Sequence, residues 1–380
     1  MNAILDELIE KKIDEINKNG YVVGGHNGPY YDDETPVRNT SHVAVILSYY
    51  YKKTGNPYYY EALLKCGEYL LSNEARPHGK TFYCRKNTNK DRANGIIGQA
   101  WVIEGLLAIY NVTKNKSLID LAKEIFIMVP FDEKVCAWRI LDIDGEDKGF
   151  DMTFNHQLWF AAAGIQILYY DINSEIKTRC DLFLNNINSL ITCYPNGLIS
   201  HFIKLSNLYS KFSRYKNGIK SLAKLVINKN KLYYKENGYH LFNMYAFALI
   251  KNFGYDFSYI NTKQFKKNLD YCYSSKINSW LMSASKNYIT NMPKVKNFEI
   301  NIYGYGYNAP GFELPYVTQT FMGKTDKIDC EIKEVVETQI RLTYDSLNKG
   351  FYNNNDDWRT LEARIYEYIR YLELIDKINH

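Results

Sequence analysis

The sequence predicts an all-α protein that folds as an (α/α)6 toroid, a double ring of helical hairpins. Two observations support this fold class. Apolar residues recur at helical spacing along most of the 380 residues. The predicted helices also alternate in kind: 93–112 and 155–171 are apolar almost all round, whereas 115–129 and 329–347 carry one charged face. A double ring needs this alternation, because its inner helices are buried on all sides and its outer helices on one. A two-layer solenoid is the alternative.

Short turns separate the predicted helices, as expected for antiparallel neighbours; Gly55-Asn56-Pro57 is one example. No linker divides the chain, so residues 1–380 are interpreted as one domain. A small β element is expected within 197–237, where Leu232–Gly238 is typical of a strand and turn. The predicted helices cover residues 3–18, 42–53, 57–72, 93–112, 115–129, 155–171, 174–192, 240–252, 262–275, 308–322, 329–347 and 358–377.

Composition excludes several classes of protein. With 46% hydrophobic and 23% charged residues, the chain is neither disordered, nor collagen-like, nor a coiled coil. No apolar run approaches the ~20 residues of a membrane helix, and charges stand too early in the chain for a secretory signal. The seven cysteines lie singly, as reduced thiols do, and none has metal-site spacing. We therefore expect a cytoplasmic protein without a transmembrane segment, a metal or another cofactor.

Positive charge is concentrated in residues 204–236, which hold nine Lys or Arg and a single acid, Glu236, in a chain of net charge +5. Such a segment is either a solvated face or a binding surface for an anion. No nucleic-acid recognition motif accompanies it. The favoured partner is therefore an acidic oligosaccharide or polysaccharide, or a lipid phosphate, and 204–236 is expected to contact a lipid-linked glycan peripherally.

Polar residues gather where the predicted inner helices begin. In an antiparallel ring these helix starts share one end, where unpaired N–H groups and helix dipoles favour an anion. Capping accounts for Ser, Thr, Asp and Asn at such positions, but not for Arg and His. We predict a substrate pocket at this end of the ring. Its candidate substrate-binding residues are Arg38, His42, Arg92, His201, His240, Trp159 and Arg364.

The segment Asn155-His156-Gln157-Leu158-Trp159 resembles the Asn-His-x-x-Trp motif of alginate-lyase-type polysaccharide lyases. The resemblance implies a toroid that acts on uronic-acid chains. That family's second motif, an Arg and a Tyr, has no single match. Candidates for the Tyr are Tyr303, Tyr305 and Tyr307, and candidates for the Arg are Arg38, Arg92 and Arg364. In its general character the chain also resembles helical proteins of surface-glycan biosynthesis clusters. Without a catalytic role, Asn155 would be a helix cap and His156 a buried histidine.

The chemistry that fits this motif is removal of the C5 proton of a hexuronate. Asn155 and His156, at a helix N-terminus, would stabilise the enolate-like carboxylate. A tyrosine of 303–307 would move the proton if cations lowered its pKa from ~10. Trp101, Trp159 and Trp358 are candidates to stack on the sugar. Loss of the C4 substituent gives a lyase, whereas return of the proton to the other face gives a C5-epimerase. The missing export signal favours the epimerase.

Two other functions remain open. A glycoside hydrolase of the unsaturated-glucuronyl-hydrolase type needs two carboxylates flanking the scissile bond. Its candidate acid/base residues are Asp32, Asp33, Glu34, Asp356 and Asp357. A non-enzymatic helical-repeat scaffold would instead present its charges and aromatic residues along one concave face.

Overall fold

The computed structural model describes residues 1–205, 229–273, 307–323 and 326–379. Most of these residues are helical. In chain order the helices are α1 (Asn2–Asn19), α2 (Val37–Thr54), α3 (Pro57–Leu70), α4 (Gly95–Thr113), α5 (Lys116–Met128), α6 (Phe154–Tyr170), α7 (Ser174–Asn185), α8 (Ile187–Leu190), α9 (Lys229–Gly238), α10 (His240–Asn252), α11 (Lys263–Cys272), α12 (Pro310–Met322), α13 (Asp326–Thr343), α14 (Trp358–Arg364) and α15 (Tyr366–Asn379).

Six of these helices form a closed inner ring. Helix α2 packs against α4, α4 against α6, α6 against α10, α10 against α12 and α12 against α15, and α15 returns to α2. The outer helices α3, α5, α7, α11 and α13 each pack on an inner neighbour, and α1 packs on α3. The predicted (α/α)6 toroid is therefore confirmed, and the open solenoid is not observed.

The inner helices are buried because their sequences are apolar nearly all round. Helix α4 shows this best, since almost every residue from Gly95 to Ile109 is buried. A Cβ added at Gly105 would lie 2.7 Å from Ser41, so this glycine permits the close contact between α4 and α2. Among the described residues, α4 alone is long and apolar enough to cross a membrane, and 78% of its most apolar window is buried inside the protein.

The outer helices begin at side-chain caps and bury one face. Asn56, Asn115, Asn173 and Thr262 each accept a hydrogen bond from a backbone N–H in the first turn of α3, α5, α7 and α11. Each such cap is worth about 1 kcal/mol. The caps fix the turns that lead from inner to outer helices, and so they fix the end of the ring at which each inner helix begins.

The small sheet lies elsewhere than predicted. Strands β1 (Phe131–Asp132), β2 (Ala137–Leu141) and β3 (Asp147–Phe150) pair antiparallel in the order β1-β2-β3, between α5 and α6. The strand expected at Leu232–Gly238 is wrong, because these residues belong to α9. Glu236 attaches this helix to the preceding loop. Its carboxylate accepts hydrogen bonds from the Ser200 hydroxyl and from the backbone N–H of His201. Residues 206–228 of the basic segment lie outside the described residues.

Two helix boundaries differ from the prediction in ways that matter for the site. Helix α2 begins at Val37 rather than near 42, so Arg38 and His42 lie inside its first turns. The last predicted inner helix, 358–377, is divided at Ile365 into α14 and α15. As a result, Arg38, His42 and Arg364 belong to helices in the wall of the ring rather than to the loops at its open end.

Candidate active site

A cavity of about 200 Å³, here called the central cavity, lies at the end of the ring where the inner helices begin. It lies at the end of the ring where the sequence predicted a pocket, and of the seven predicted substrate-binding residues His201 and Arg364 line it. Its walls come from the loop before α2, the segment before α4, the start of α6, the end of α9, the start of α10 and the last turn of α14. Among its lining residues are Asn155, His156, His201, Tyr239, Tyr307 and Arg364.

His156 stands in the first turn of α6 with its ring fixed by a buried carboxylate. Its Nδ1 lies 2.8 Å from Oδ2 of Asp151. Burial alone would raise the pKa of Asp151, but His156 and the N–H groups of Ile96 and Thr153 lower it. An ionised Asp151 that accepts the Nδ1 proton leaves Nε2 of His156 with its lone pair available. Gly95, at φ +61°, makes this contact possible, because a Cβ there would lie 2.5 Å from Asp151.

The Asn155 amide is buried at the cavity wall with no hydrogen-bond partner for Oδ1 or Nδ2 within the described residues. It is not a helix cap, since Thr153 occupies the N-cap position of α6. A buried polar group left unsatisfied costs about 1–3 kcal/mol. Asn155 therefore presents a donor and an acceptor that a bound molecule can use.

Three tyrosines form a connected group beside these residues. The hydroxyls of Tyr30 and Tyr239 lie 3.0 Å apart, and the Tyr307 hydroxyl donates to Oδ1 of Asn27 at 2.6 Å. Burial raises the pKa of Tyr239 and of Tyr307, and at Tyr307 it outweighs the opposing charge of Arg38. These phenols are consequently protonated at neutral pH and can donate hydrogen bonds to a ligand. Tyr303 and Tyr305 lie outside the described residues.

The wall of the central cavity carries more positive than negative charge. Arg85, Lys90, Lys235 and Arg364 line it, whereas Asp32 is the one acidic residue among its lining residues. Asp32 pairs with Lys90, and Arg85 lies 3.7 Å away from it. Arg364 is held by Glu313, Glu367 and the Asn308 side chain. Arg85 also pairs with Asp91 at 2.7 Å, so Arg85, Lys90 and Arg364 are each partly neutralised by a carboxylate. The excess of positive charge on this wall is therefore small, and it favours an anionic over a cationic group of a ligand.

His201 lines the same cavity as a neutral imidazole. Burial, followed by the charge of Lys235, holds its pKa well below 6.5. The Glu236 carboxylate holds the backbone of His201 in place, because it accepts a hydrogen bond of 2.9 Å from the His201 backbone N–H. His201 can therefore accept a hydrogen bond from a sugar hydroxyl without competing charge.

Arg38 and His42 lie one layer deeper than predicted. The Arg38 guanidinium stacks 4.0 Å from the ring of Trp101, which lines the cavity, and pairs with Glu34 at 3.2 Å. His42 stacks on Tyr366, with 4.2 Å between ring centroids. Burial and three neighbouring arginines hold the pKa of His42 well below its usual range. Both residues support the floor of the cavity without lining it.

Three candidate substrate-binding residues lie away from the cavity. His240 is fully buried: its Nδ1 accepts the Ile199 N–H and its Nε2 lies 2.8 Å from the Asn268 carbonyl oxygen. Trp159 donates its indole N–H to the Phe242 carbonyl and stacks in the core. Arg92 pairs with Asp144 at the surface. The prediction placed each near the correct end of the ring, but each side chain points away from the cavity.

The remaining candidate carboxylates, Asp33, Glu34, Asp356 and Asp357, line a separate cavity of about 480 Å³, here called the acidic side cavity. Asp357 accepts hydrogen bonds from the backbone N–H groups of His26 and Gly28, at 3.1 and 2.6 Å. Asp356 accepts from the Tyr31 hydroxyl at 2.6 Å. Burial, with Asp357 adding to it against the charge of Arg38, raises the pKa of Glu34 to about 7.

Sequence reasoning missed Asp151, Tyr239 and the loop residue Asn27; Lys235 belongs to the basic segment 204–236 that was predicted to bind an anion. A carboxylate often orients a histidine through its second ring nitrogen, and the sequence places Asp151 only five residues before His156. Within the part of the chain that the structure describes, no group of three His, Cys, Asp or Glu side chains could hold a metal ion.

Solved structures with this architecture are sugar-processing toroids. The cellobiose 2-epimerase of Bacillus thermoamylovorans B4167 superposes with a TM-score of 0.63 at 14% identity, over 97% of this chain and 100% of that one. An unsaturated glucuronyl hydrolase specific for heparin gives 0.57 at 11% identity, over 99% of each chain. A D-mannose isomerase gives 0.55 at 12% identity, over 97% of this chain and 98% of that one. At these identities the likeness shows the fold alone.

A curated relative defines the family. The archaeal glycosylation protein Q of Haloferax volcanii is 34% identical over 380 residues, covering 97% of each sequence. The chain belongs to the family of that protein. No family model matches it.

Proposed function

We propose that this chain is a carbohydrate-active enzyme of glycan assembly that epimerises a hexuronate residue at C5. The observation that carries the proposal is the central cavity. An Asp151-oriented His156, an Asn155 amide with no hydrogen-bond partner among the described residues, and protonated tyrosines line it together with more basic than acidic side chains. The relative named as a glycosylation protein and the fold shared with sugar epimerases support it.

The substrate carboxylate is the group that the cavity charge would attract. Removing the C5 proton turns this carboxylate into an enolate-like dianion, so the site must supply donors to its oxygens. The Asn155 Nδ2 and the positive end of α6 are placed to do so. Arg364 and Lys235 add positive charge on other sides of the cavity.

The proton transfers need one group on each face of the sugar. Nε2 of His156 accepts the C5 proton, and the resulting imidazolium is stabilised by Asp151. A phenol of the Tyr30–Tyr239–Tyr307 group then donates its proton to C5 from the opposite face. The tyrosinate that remains regains a proton, and His156 loses one, so the enzyme returns to its starting state without net proton change. This assigns the base to His156 rather than to a tyrosine.

Two alternatives use the same mouth of the ring. A lyase would form the same intermediate and expel the C4 substituent instead of taking back a proton. A hydrolase of the unsaturated-glucuronyl type would use the acidic side cavity, where the pKa of Glu34 at about 7 suits a general acid. Against it, Glu34 already pairs with Arg38, and Asp357 already binds two backbone N–H groups.

One experiment separates the three. Uronate-containing oligosaccharides, free and lipid-linked, are incubated with the enzyme in deuterium oxide and examined by NMR and ultraviolet absorbance. An epimerase labels C5 without an unsaturated product, a lyase produces the unsaturated uronate, and a hydrolase releases reducing sugar. Loss of C5 labelling in His156→Ala with retention in Glu34→Gln is the expected pattern. Reducing-sugar release that depends on Glu34, without C5 labelling, would overturn the proposal.

A further inference from the structure

Two residues of the type that caps helices stand at the start of inner helices without capping them. Asn94 is the N-cap residue of α4 and Thr153 that of α6, and neither side chain accepts a hydrogen bond from its helix. Asparagine and threonine normally do so at this position, as the cap residues of the outer helices α3, α5, α7 and α11 do here. The two side chains at the inner helices therefore have another use.

Carboxylates take over the cap of α4. Oδ1 of Asp91 accepts the Gly95 N–H at 2.5 Å, and Oδ2 of Asp151 accepts the Ile96 N–H at 3.1 Å. Asn94 itself has φ +59°, in the left-handed region that few residues other than glycine adopt. Because the first N–H groups of the helix are already bound, the Asn94 amide is not needed by the fold at this point.

Both side chains line the central cavity next to His156. Gly95, which follows Asn94, approaches the imidazole so closely that an added Cβ would lie 2.9 Å from Nδ1 of His156. Thr153 precedes His156 by three residues. The Asn94 amide and the Thr153 hydroxyl have no hydrogen-bond partner within the described residues, and their polar atoms are not among the enclosed ones. They are therefore open to a molecule bound in the cavity.

The chemistry of these two groups indicates what they bind. Both are neutral, and each can donate and accept hydrogen bonds. A carboxylate only accepts hydrogen bonds and an ammonium group only donates them, whereas a sugar hydroxyl does both. The matching ligand group is a hydroxyl, in contrast to the carboxylate that the basic residues of the same cavity favour.

We propose that Asn94 and Thr153 bind the hydroxyl groups of the hexuronate ring from which His156 removes the C5 proton, and so select the sugar by its hydroxyl pattern. The inference rests on the proposed function and adds its specificity-determining residues. A site that binds a hydroxyl discriminates against a sugar that lacks it, because the polar groups of the protein are then left unpaired.

Binding of methyl β-D-glucuronide to the full-length protein, titrated by saturation-transfer NMR, tests the assignment. Asn94→Gly removes the amide, and glycine adopts a positive φ without strain, so the fold is retained. Its Kd should rise about tenfold. Thr153→Val removes the hydroxyl from a side chain of the same shape and should raise Kd several-fold. Asn115→Gly, the same change at the cap of α5, is the matched control and should bind as the wild type does.

A thermodynamic cycle then identifies the hydroxyl that meets Asn94. Analogues of the probe that each lack one ring hydroxyl are titrated against wild type and Asn94→Gly. At least one analogue should bind the wild type about tenfold more weakly than the parent does. This penalty should shrink in Asn94→Gly, because the variant has already lost the partner of that hydroxyl.

Three results would overturn the assignment: the wild type does not bind the glucuronide, Asn94→Gly or Thr153→Val binds it as the wild type does, or every analogue keeps its full penalty in Asn94→Gly. Binding is measured without turnover. If the variants behave as expected and no C5 exchange is detected, the proposed function fails and the hydroxyl site stands.

Discussion

The central cavity and the acidic side cavity share one loop and differ in what their polar groups are free to do. Asn27, Tyr30 and Asp32 line the first, whereas His26 and Glu34 of the same loop line the second. In the side cavity, Glu34, Asp356 and Asp357 already bind partners of the fold. Among the described residues, the Asn155 amide and Nε2 of His156 in the central cavity have no such partner. Unused hydrogen-bonding capacity thus locates the chemistry better than residue type does.

The largest effect is expected at the unused groups. His156→Ala should lower kcat for C5 exchange by about 10²–10⁴-fold, the usual contribution of a general base. Asn155→Ala should lower it by about 10²–10³-fold, the usual loss when a donor to a developing oxyanion is removed. Deuterium incorporation at C5 measures this. Asp33→Asn, in the side cavity, is the matched control and should remain near wild-type activity. Equal losses in all three variants would erase the distinction between the cavities.

A smaller loss is expected when the orienting carboxylate is neutralised. Asp151→Asn retains the shape but no longer fixes the Nδ1–H tautomer of His156, so kcat should fall about 10–100-fold. The split between kcat and KM provides the decisive readout. If Asp151 acts through His156, Asp151→Asn lowers kcat and leaves KM near its wild-type value. Parallel changes in kcat and KM would indicate a merely structural role.

The tyrosine group should control stereochemistry more than proton removal. In Tyr239→Phe, His156 still removes and returns the C5 proton on its own face, but the opposite face lacks a donor. We expect deuterium exchange with retained configuration and loss of the epimerised product. Tyr31→Phe, whose hydroxyl binds Asp356, should form the epimer normally. Epimer formation at a wild-type rate in Tyr239→Phe would remove this residue from the proton path.

The smallest effect concerns stability in the acidic side cavity. The pKa of Glu34 is raised to about 7 in the folded protein from 4.5. Between these values the folded state retains a proton that the unfolded state releases, so Glu34 lowers stability as pH rises from about 4.5 to 7. Denaturant unfolding of wild type and Glu34→Gln should therefore diverge across this window and run parallel above it. C5 exchange should be unaffected.

The sequence alone predicted the ring, because periodicity and the alternation of helix types depend on local patterns. It also predicted Asn155 and His156 at the start of α6. It could not tell which way a side chain near a helix start would point. Trp159 lies one turn beyond His156, deep enough to pack against Phe242 and Tyr245 in the core. His240, at the start of α10, turns toward Asn268 on the outer helix α11.

Contacts between residues far apart in the chain could not be predicted from the sequence either. The sequence predicts Asp357 to be a helix cap, but its carboxylate accepts hydrogen bonds from the backbone N–H groups of His26 and Gly28, more than 300 residues earlier in the chain. Gly28 in turn packs against the ring of Tyr307. Such contacts arise from closure of the ring, which brings the first and last hairpins together, and no local pattern records them.

That closure has a consequence for synthesis of the protein. Lys12 pairs with Glu362 at 2.8 Å and Glu7 with Lys349, so the first helix is joined to residues that the ribosome adds more than 300 residues later. Asp357 fixes the loop that borders the central cavity, and Arg364 forms part of its wall. A nascent chain can fold its early hairpins on the ribosome, but the central cavity stays incomplete until Arg364 has emerged.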